Sequence, residues 1–284
     1  MHDMTFFREA EAAFFDLDNT ILQGDSDLAW GLLMAGRSAR GLADLLAILR
    51  LALPYQRGTI DPEAYVDCQR LRIARWGGDY EAQCSRFFER RGASLIRPWM
   101  ADLIGHYRSV GIPTAIITAQ NRSIARHFAE HLGVDELIAN DFSGPGGSPL
   151  MPICLGEGKI ARAEGYAASI GTTLSRCAFY ADSVNDAPLL ELVGLPVAVT
   201  PDKRLARIAK GKGWPTLQPE RRVKAHGSGY RLELDKDIPL FEQLGKRDTD
   251  CLGGKGREPH GKGLRVGWQE NIEALVQDTR DHEH

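Results

Sequence analysis

The sequence predicts an α/β protein with a doubly wound, Rossmann-like parallel-sheet core and an inserted α-helical cap. Three observations predict it. Short apolar runs recur and end abruptly in polar residues, as buried strands of a parallel sheet do where they run into loops. Segments with helical spacing separate those runs, the order that winds helices onto both faces of one sheet. Between the first run and the second lies a long stretch of helical spacing with no convincing strand.

The elements follow in order. Ala12-Ala13-Phe14-Phe15 is the first strand, ending in Asp16-Leu17-Asp18-Asn19-Thr20. From about Leu28 to Arg91 the chain reads as helices: Leu28, Leu32 and Leu33 fall near helical spacing, as do Leu42, Leu45, Leu46 and Leu49, with Pro54, Gly58 and Gly77-Gly78 as punctuation. A helix from Met100 to Val110 stops at Gly111. Thr114 to Ile117 is the second strand, ending at Thr118, and Ser123 to Leu132 is a helix closed by Gly133. Leu137-Ile138-Ala139 is a short strand, and Phe142 to Met151 suits a hairpin or loop. Lys159 to Ile170 is a helix, Cys177 to Tyr180 a strand ending in Ala181-Asp182, and Pro188 to Leu192 a short helix. Pro196 to Val199 is a strand and Leu205 to Lys210 a helix. Residues 1–24 and 92–218 are thus expected to form the core and 25–91 the cap. Residues 219–284, rich in Gly and charge, are expected to be a loosely ordered extension with a helix near Gln269 to Val276. Within it Leu232, Leu234, Ile238, Leu240 and Phe241 could dock on the core. His260, His282 and His284 read as a solvated tail rather than as metal ligands.

Composition sets bounds. Hydrophobic residues make up 43% of 284, enough for a packed core. A net charge of -3 gives no overall pull toward nucleic acid or anionic membranes. Cys68, Cys84, Cys154, Cys177 and Cys251 are scattered without zinc spacing and read as reduced thiols of a cytoplasmic protein. The first residues lack the basic run and cleavage site of a signal peptide. Leu42 to Leu53 is apolar but broken by Asp44 and Arg50 and is too short to span a bilayer, so no stable membrane insertion is expected. It reads as a packed helix, with a membrane-surface helix as the alternative.

The polar residues gather where strands end, and in such sheets the ligand crevice lies at the carboxyl ends of the strands. Asp16 and Asp18 stand two apart, on one face if the segment is extended. Asp182-Ser183-Val184-Asn185-Asp186 brings two more acids to the same edge. Thr118 ends the second strand, and Lys159 opens a helix after Gly156-Glu157-Gly158. Close carboxylates repel and call for a cation. Oxygen ligands suit magnesium, and a lysine with a hydroxyl suits a phosphoryl group.

These residues carry a resemblance. Asp16-Leu17-Asp18-Asn19-Thr20, Thr118, Lys159 and Asp182-Ser183-Val184-Asn185-Asp186 resemble the four ordered motifs of the haloacid dehalogenase-like superfamily, over about Ala12 to Leu217. The helical cap after the first motif, Gly24-Asp25-Ser26, Gly156-Glu157-Gly158-Lys159 and Asp182-Ser183-Val184-Asn185-Asp186-Ala187-Pro188-Leu189-Leu190-Glu191 are similar to its phosphoserine-phosphatase-like branch. The resemblance implies a magnesium-dependent phosphomonoesterase. Asp16 would be the nucleophile and Asp18 the general acid and base. The Asp16 side chain, the Asp18 carbonyl and the Asp182 side chain would hold Mg2+. Asp186 would orient metal-bound water, Thr118 and Lys159 would bind phosphoryl oxygens, and Asn185 phosphate or substrate. Asn121 would either face the site or cap a helix. The substrate implied is a small polar phosphomonoester, phosphoserine first. The stretch Ile21 to Asp25 lacks the glutamate usual there in phosphoserine phosphatases, so histidinol phosphate or an amino-alcohol phosphate fits equally well. A phosphotransferase would use the same nucleophile, and the oligomeric state stays open. Asp25 and Asp27 could meet an amine or simply cap and face solvent. Arg70, Arg72 and Arg75 could meet a carboxylate or form a solvated face. Trp30, Trp76 and Trp99 read as packing.

Overall fold

The computed structural model describes residues 10–56, 60–144 and 147–218. The expected tail, its helix, its three histidines and Cys251 lie outside the described residues. Among those described, six parallel strands are ordered β3-β2-β1-β4-β5-β6. They are β1 (Ala12–Phe15), β2 (Thr114–Asn121), β3 (Glu136–Asn140), β4 (Cys177–Ala181), β5 (Leu195–Val199) and β6 (Thr216–Leu217). The order reverses between β1 and β4, the topological switch where such sheets open a crevice.

Period-2 alternation splits the core. Phe15, Ile116, Tyr180, Val197 and Val199 face one side, and Phe14, Ile117, Phe179 and Ala198 face the other. On the first side pack α5 (Pro98–Ser109) and α6 (Arg122–Leu132), through Ile104, Tyr107, Ile124 and Phe128. On the second pack α7 (Glu157–Ser169), α8 (Ala187–Leu190) and α9 (Lys203–Lys212), through Ala163, Leu190, Leu205 and Ala209. Gly133 ends α6 as expected, at φ 64°, and Gly213 ends α9 in the same way at φ 69°.

The cap lies between β1 and β2: α1 (Ser26–Ala35), α2 (Ala39–Gln56), α3 (Pro62–Trp76) and α4 (Tyr80–Phe87), with short turns to Leu95. Trp30 is its packing centre, edge-on to Trp76, Tyr80 and Phe87 at 6.1, 5.8 and 5.7 Å between ring centroids. Trp76 and Trp99 are buried too, so the three tryptophans pack as read. Two glycines bring α1 and α2 together. A Cβ on Gly41 would stand 2.0 Å from the Met34 carbonyl oxygen, and one on Gly31 2.9 Å from Ile48 Cδ1. The buried Asp44 of α2 accepts from Trp76 Nε1 at 2.5 Å and pairs with Arg75, which fastens α2 to α3.

Several boundaries differ from the sequence reading. β2 runs four residues beyond Ile117, because Asn121 pairs with Asn140 across an irregularity after Ile117. Its polar tail, Thr118-Ala119-Gln120-Asn121, hides that strand from an apolar-run criterion. β6 was not anticipated; two residues on an edge leave no period to detect. The helix expected from Pro188 begins at Ala187, after a tight turn over Val184–Asp186.

Candidate active site

β1 delivers Asp16 to the switch point. Phe15 aligns with Ile116 of β2 on one side and Tyr180 of β4 on the other. One residue further, Asp16 donates its N–H to the Tyr180 carbonyl at 2.9 Å. That register sets Thr118 and Asp182 at the same sheet edge, to either side of Asp16. Beyond Asp16 the chain turns tightly through Leu17–Ile21, with Asn19 at φ 59°, a left-handed conformation that Asn tolerates better than most residues. Leu22 then forms an antiparallel bridge with Ile96. Arg97 secures this crossing: Nε donates to the Leu22 carbonyl and Nη2 to the Asn19 carbonyl, each at 3.2 Å. The cap therefore leaves and rejoins the core at one point.

Lys159, in the first turn of α7, is buried, and its Nζ donates to Asp16 Oδ1 at 2.8 Å and to Asp186 Oδ1 at 2.5 Å. Burial pulls the ammonium pKa down, but Asp16 and then Asp186 outweigh it and hold it above the usual lysine range. Asp16 is raised to about 6: burial pushes it up, Lys159 opposes and Asp186 adds repulsion. Asp182 is pushed well above the carboxylate range by burial, then by Asp16 and Asp186, with Thr20 Oγ1 donating to it at 3.2 Å in the opposite sense. Asp18 is raised likewise by burial and then by Asp25, against the Ser26 N–H that it accepts at 2.6 Å.

Around these acids, Thr118 is buried and its Oγ1 accepts from Gln120 N at 3.0 Å. Asn185 is half-buried, its backbone N–H on Ser183 Oγ at 3.2 Å. Asp186, expected beside metal-bound water, is placed on Lys159. Asn121 is a helix cap: Oδ1 accepts from Ser123 N at 2.9 Å, and Nδ2 reaches Gln69 of the cap at 3.4 Å. Asp25 also caps, accepting from Leu28 N at 2.8 Å.

Arg72 departs from the solvated face expected of the cap arginines. Its side chain is 1% exposed and pairs with Asp27 at 2.6 Å. Asp27 also takes Gln120 Nε2 at 3.1 Å and Gln69 Nε2 at 3.3 Å, and Gln120 Nε2 reaches Ser26 Oγ at 2.6 Å. The Tyr65 hydroxyl donates to the Ala119 carbonyl from the same helix as Arg72. This network joins α3 to the polar end of β2. Asp27→Ala is expected to lower unfolding free energy by about 3 kcal/mol, because it strands a buried guanidinium. Urea titration checks this, and a variant as stable as the parent would contradict it.

Sequence reasoning missed Thr20, Arg97, Gln120 and Asp202. Asp202 clamps the loop that carries Asp182: its N–H donates to the Asp182 carbonyl at 2.8 Å, and Oδ2 accepts from Val184 N at 2.7 Å. Its Oδ1 caps α9, and an Asp just before a helical run was a legible signal.

Among the described residues no three His, Cys, Asp or Glu side chains converge as a metal cage. Two carboxylates, Asp16 and Asp182, with a nearby backbone carbonyl still suit magnesium, which uses few protein ligands and keeps water and phosphate oxygens. The upward pull on both acids is what a cation between them would relieve.

Comparison with known proteins finds relatives of this chain in both sequence and structure. The histidinol-phosphatase of Neisseria meningitidis is 33% identical over 215 residues, covering 72% of this chain and 97% of that relative. The phosphoserine phosphatase SerB1 of Mycobacterium tuberculosis is 31% identical, covering 72% and 69%. A crystal structure of a Bordetella pertussis protein of unknown function superposes with a TM-score of 0.65 at 30% identity, covering 73% of this chain and 97% of that one. Residues 13–191 match haloacid dehalogenase-like hydrolases, and the chain belongs to that family.

Proposed function

We propose that the chain is a magnesium-dependent phosphomonoesterase acting through an aspartyl-phosphate on Asp16. The observation that carries this reading is Asp16 itself: a buried carboxylate at the central strand end, held by Lys159 and flanked by Thr118 and Asp182. The Asp16 carboxylate attacks phosphorus, and the ester oxygen leaves with the proton of Asp18. Water then attacks the phosphorus of the aspartyl-phosphate, Asp18 takes its proton, and the bond to Asp16 breaks. The environments separate the two acids. Asp16 faces an ammonium, which favours its charged form. Asp18 is buried beside Asp25, and burial followed by that neighbouring acid favours the protonated form a general acid needs. Lys159 and Thr118 supply donors to the phosphoryl oxygens. Magnesium, held by Asp16, Asp182 and the Asp18 carbonyl, would offset charge on the transferring group.

The substrate is a small polar phosphomonoester. Phosphoserine is one reading, and a phosphorylated amino alcohol such as histidinol phosphate is the other. The second is favoured by Arg72, whose charge is already met by Asp27 rather than held out toward a substrate carboxylate. Hydrolysis of both compounds with magnesium, alongside an aryl phosphate, tests this. A kcat/KM higher for phosphoserine would reverse the preference, and no hydrolysis of any phosphomonoester would end the reading. Addition of an alcohol as acceptor separates hydrolysis from phosphotransfer.

Magnesium is expected to stabilise the fold above about pH 6 and much less below it. The Asp16 pKa rises on folding from 3.8 to about 6. The metal-free folded state therefore binds more protons than the unfolded state across that window and loses stability as pH rises through it. Above it a cation takes the place of the proton, a gain of about 2.7 kcal/mol at a hundredfold excess over Kd. Thermal unfolding with and without magnesium measures this; an equal gain on both sides of about pH 6 would detach the metal from Asp16.

A further inference from the structure

We propose that the outer face of the α1–α2 hairpin docks on an anionic phospholipid surface. The helices present leucines away from the core. Leu32, Leu42, Leu46 and Leu49 are between 48% and 59% exposed, and Leu28 is 37% exposed. Leu28 and Leu32 are one turn apart on α1, and Leu42, Leu46 and Leu49 form one stripe of α2. The stripes adjoin, because Gly31 of α1 sits against Leu45 and Ile48 of α2. At the edge of this face Leu28, Leu32, Leu33 and Leu95 line a groove of about 430 Å³ together with Arg91 and with Asp25, whose carboxylate accepts from Leu28 N. An apolar face of this extent marks a contact surface rather than scattered exposure.

Charge selects the occupant. From Ser26 to Gln56 the carboxylates are Asp27 and Asp44 alone. Both are held by arginines of α3, Arg72 and Arg75. The cations of the same span, Arg37, Arg40 and Arg50, are all exposed. The hairpin thus shows leucine bordered by positive charge, although the whole chain is at -3. A second copy seated on this face would bring arginines against arginines. A lipid surface with anionic headgroups satisfies both parts, leucines entering the acyl boundary and guanidinium groups resting on phosphates. The 18 residues of α2 would lie in the interface, since among the described residues no helix is long and apolar enough to cross a membrane.

Flotation of the full chain with phosphatidylcholine vesicles, with and without phosphatidylglycerol, tests the proposal. Binding is expected to the mixed vesicles alone and to weaken with salt. Leu46→Ser and Leu49→Ser should each weaken it about tenfold, and Arg40→Gln and Arg50→Gln roughly fivefold each. Hydrolysis of a soluble aryl phosphate should be unchanged in all four variants, which shows that they remain folded. No binding to the mixed vesicles at low salt overturns the proposal, and so does binding that the four substitutions leave intact. Self-association that Leu46→Ser abolishes, without vesicle binding, would assign the face to a second copy instead.

Discussion

Asp16→Asn is expected to reduce turnover of any phosphomonoester by roughly 10⁴-fold or more. An amide is a poor nucleophile and a poor ligand for a hard cation. The fold should survive, because Lys159 keeps Asp186 as its partner at 2.5 Å. Removing one of three crowded acids also relieves repulsion on Asp182. Steady-state assay with magnesium, paired with a thermal unfolding trace, separates lost chemistry from lost structure. Acid-quenched protein should hold no phosphate on this variant. Full activity, or phosphate trapped on a different residue, would overturn the mechanism.

Asp18→Asn should slow the reaction by about 10²- to 10⁴-fold, the usual worth of general acid-base catalysis. The cause differs from that in Asp16→Asn, since the nucleophile remains and the Ser26 N–H still meets an oxygen at position 18. The loss should shrink for an aryl phosphate, whose leaving oxygen needs little protonation. Phosphoenzyme should then accumulate, because the base for the second step is missing as well. Rapid quench with a labelled aryl phosphate reads both effects. Equal slowing for alkyl and aryl esters, with no trapped phosphate, would remove Asp18 from the proton path.

The core was legible because its strands are apolar runs that stop at a polar residue. Asp16, Thr118 and Asp182 each follow such a run, and Lys159 opens a helix, so their convergence follows from a parallel sheet alone. Local signals failed where partners come from distant elements. The Arg72–Asp27 pair joins residues 45 positions apart on two helices, and helical spacing by itself made Arg72 look solvated. Thr20 was quoted within its motif, but its bond to Asp182 depends on how β1 and β4 pair. β2 was read too short because a strand lined by Thr, Gln and Asn at its end looks like a loop until a neighbouring strand pairs with it. The exposed leucines show the reverse failure, since periodicity marks an apolar face and says nothing about what covers it.

The placement of β1 has a consequence for how the molecule comes into being. Its partners are β2 and β4, Ala13 aligning with Thr114 and Ala12 with Cys177. During synthesis β1 precedes both partners and must wait, unpaired and apolar, until Thr114 of β2 follows. Contacts this remote in sequence are the slow ones to form. The candidate site is therefore expected to be a late product of folding, completed when residues 162 positions apart, Thr20 and Asp182, meet. A chain stalled before β4 would hold Asp16 without Asp182 beside it, and a ligand of the finished site would report the last step of assembly.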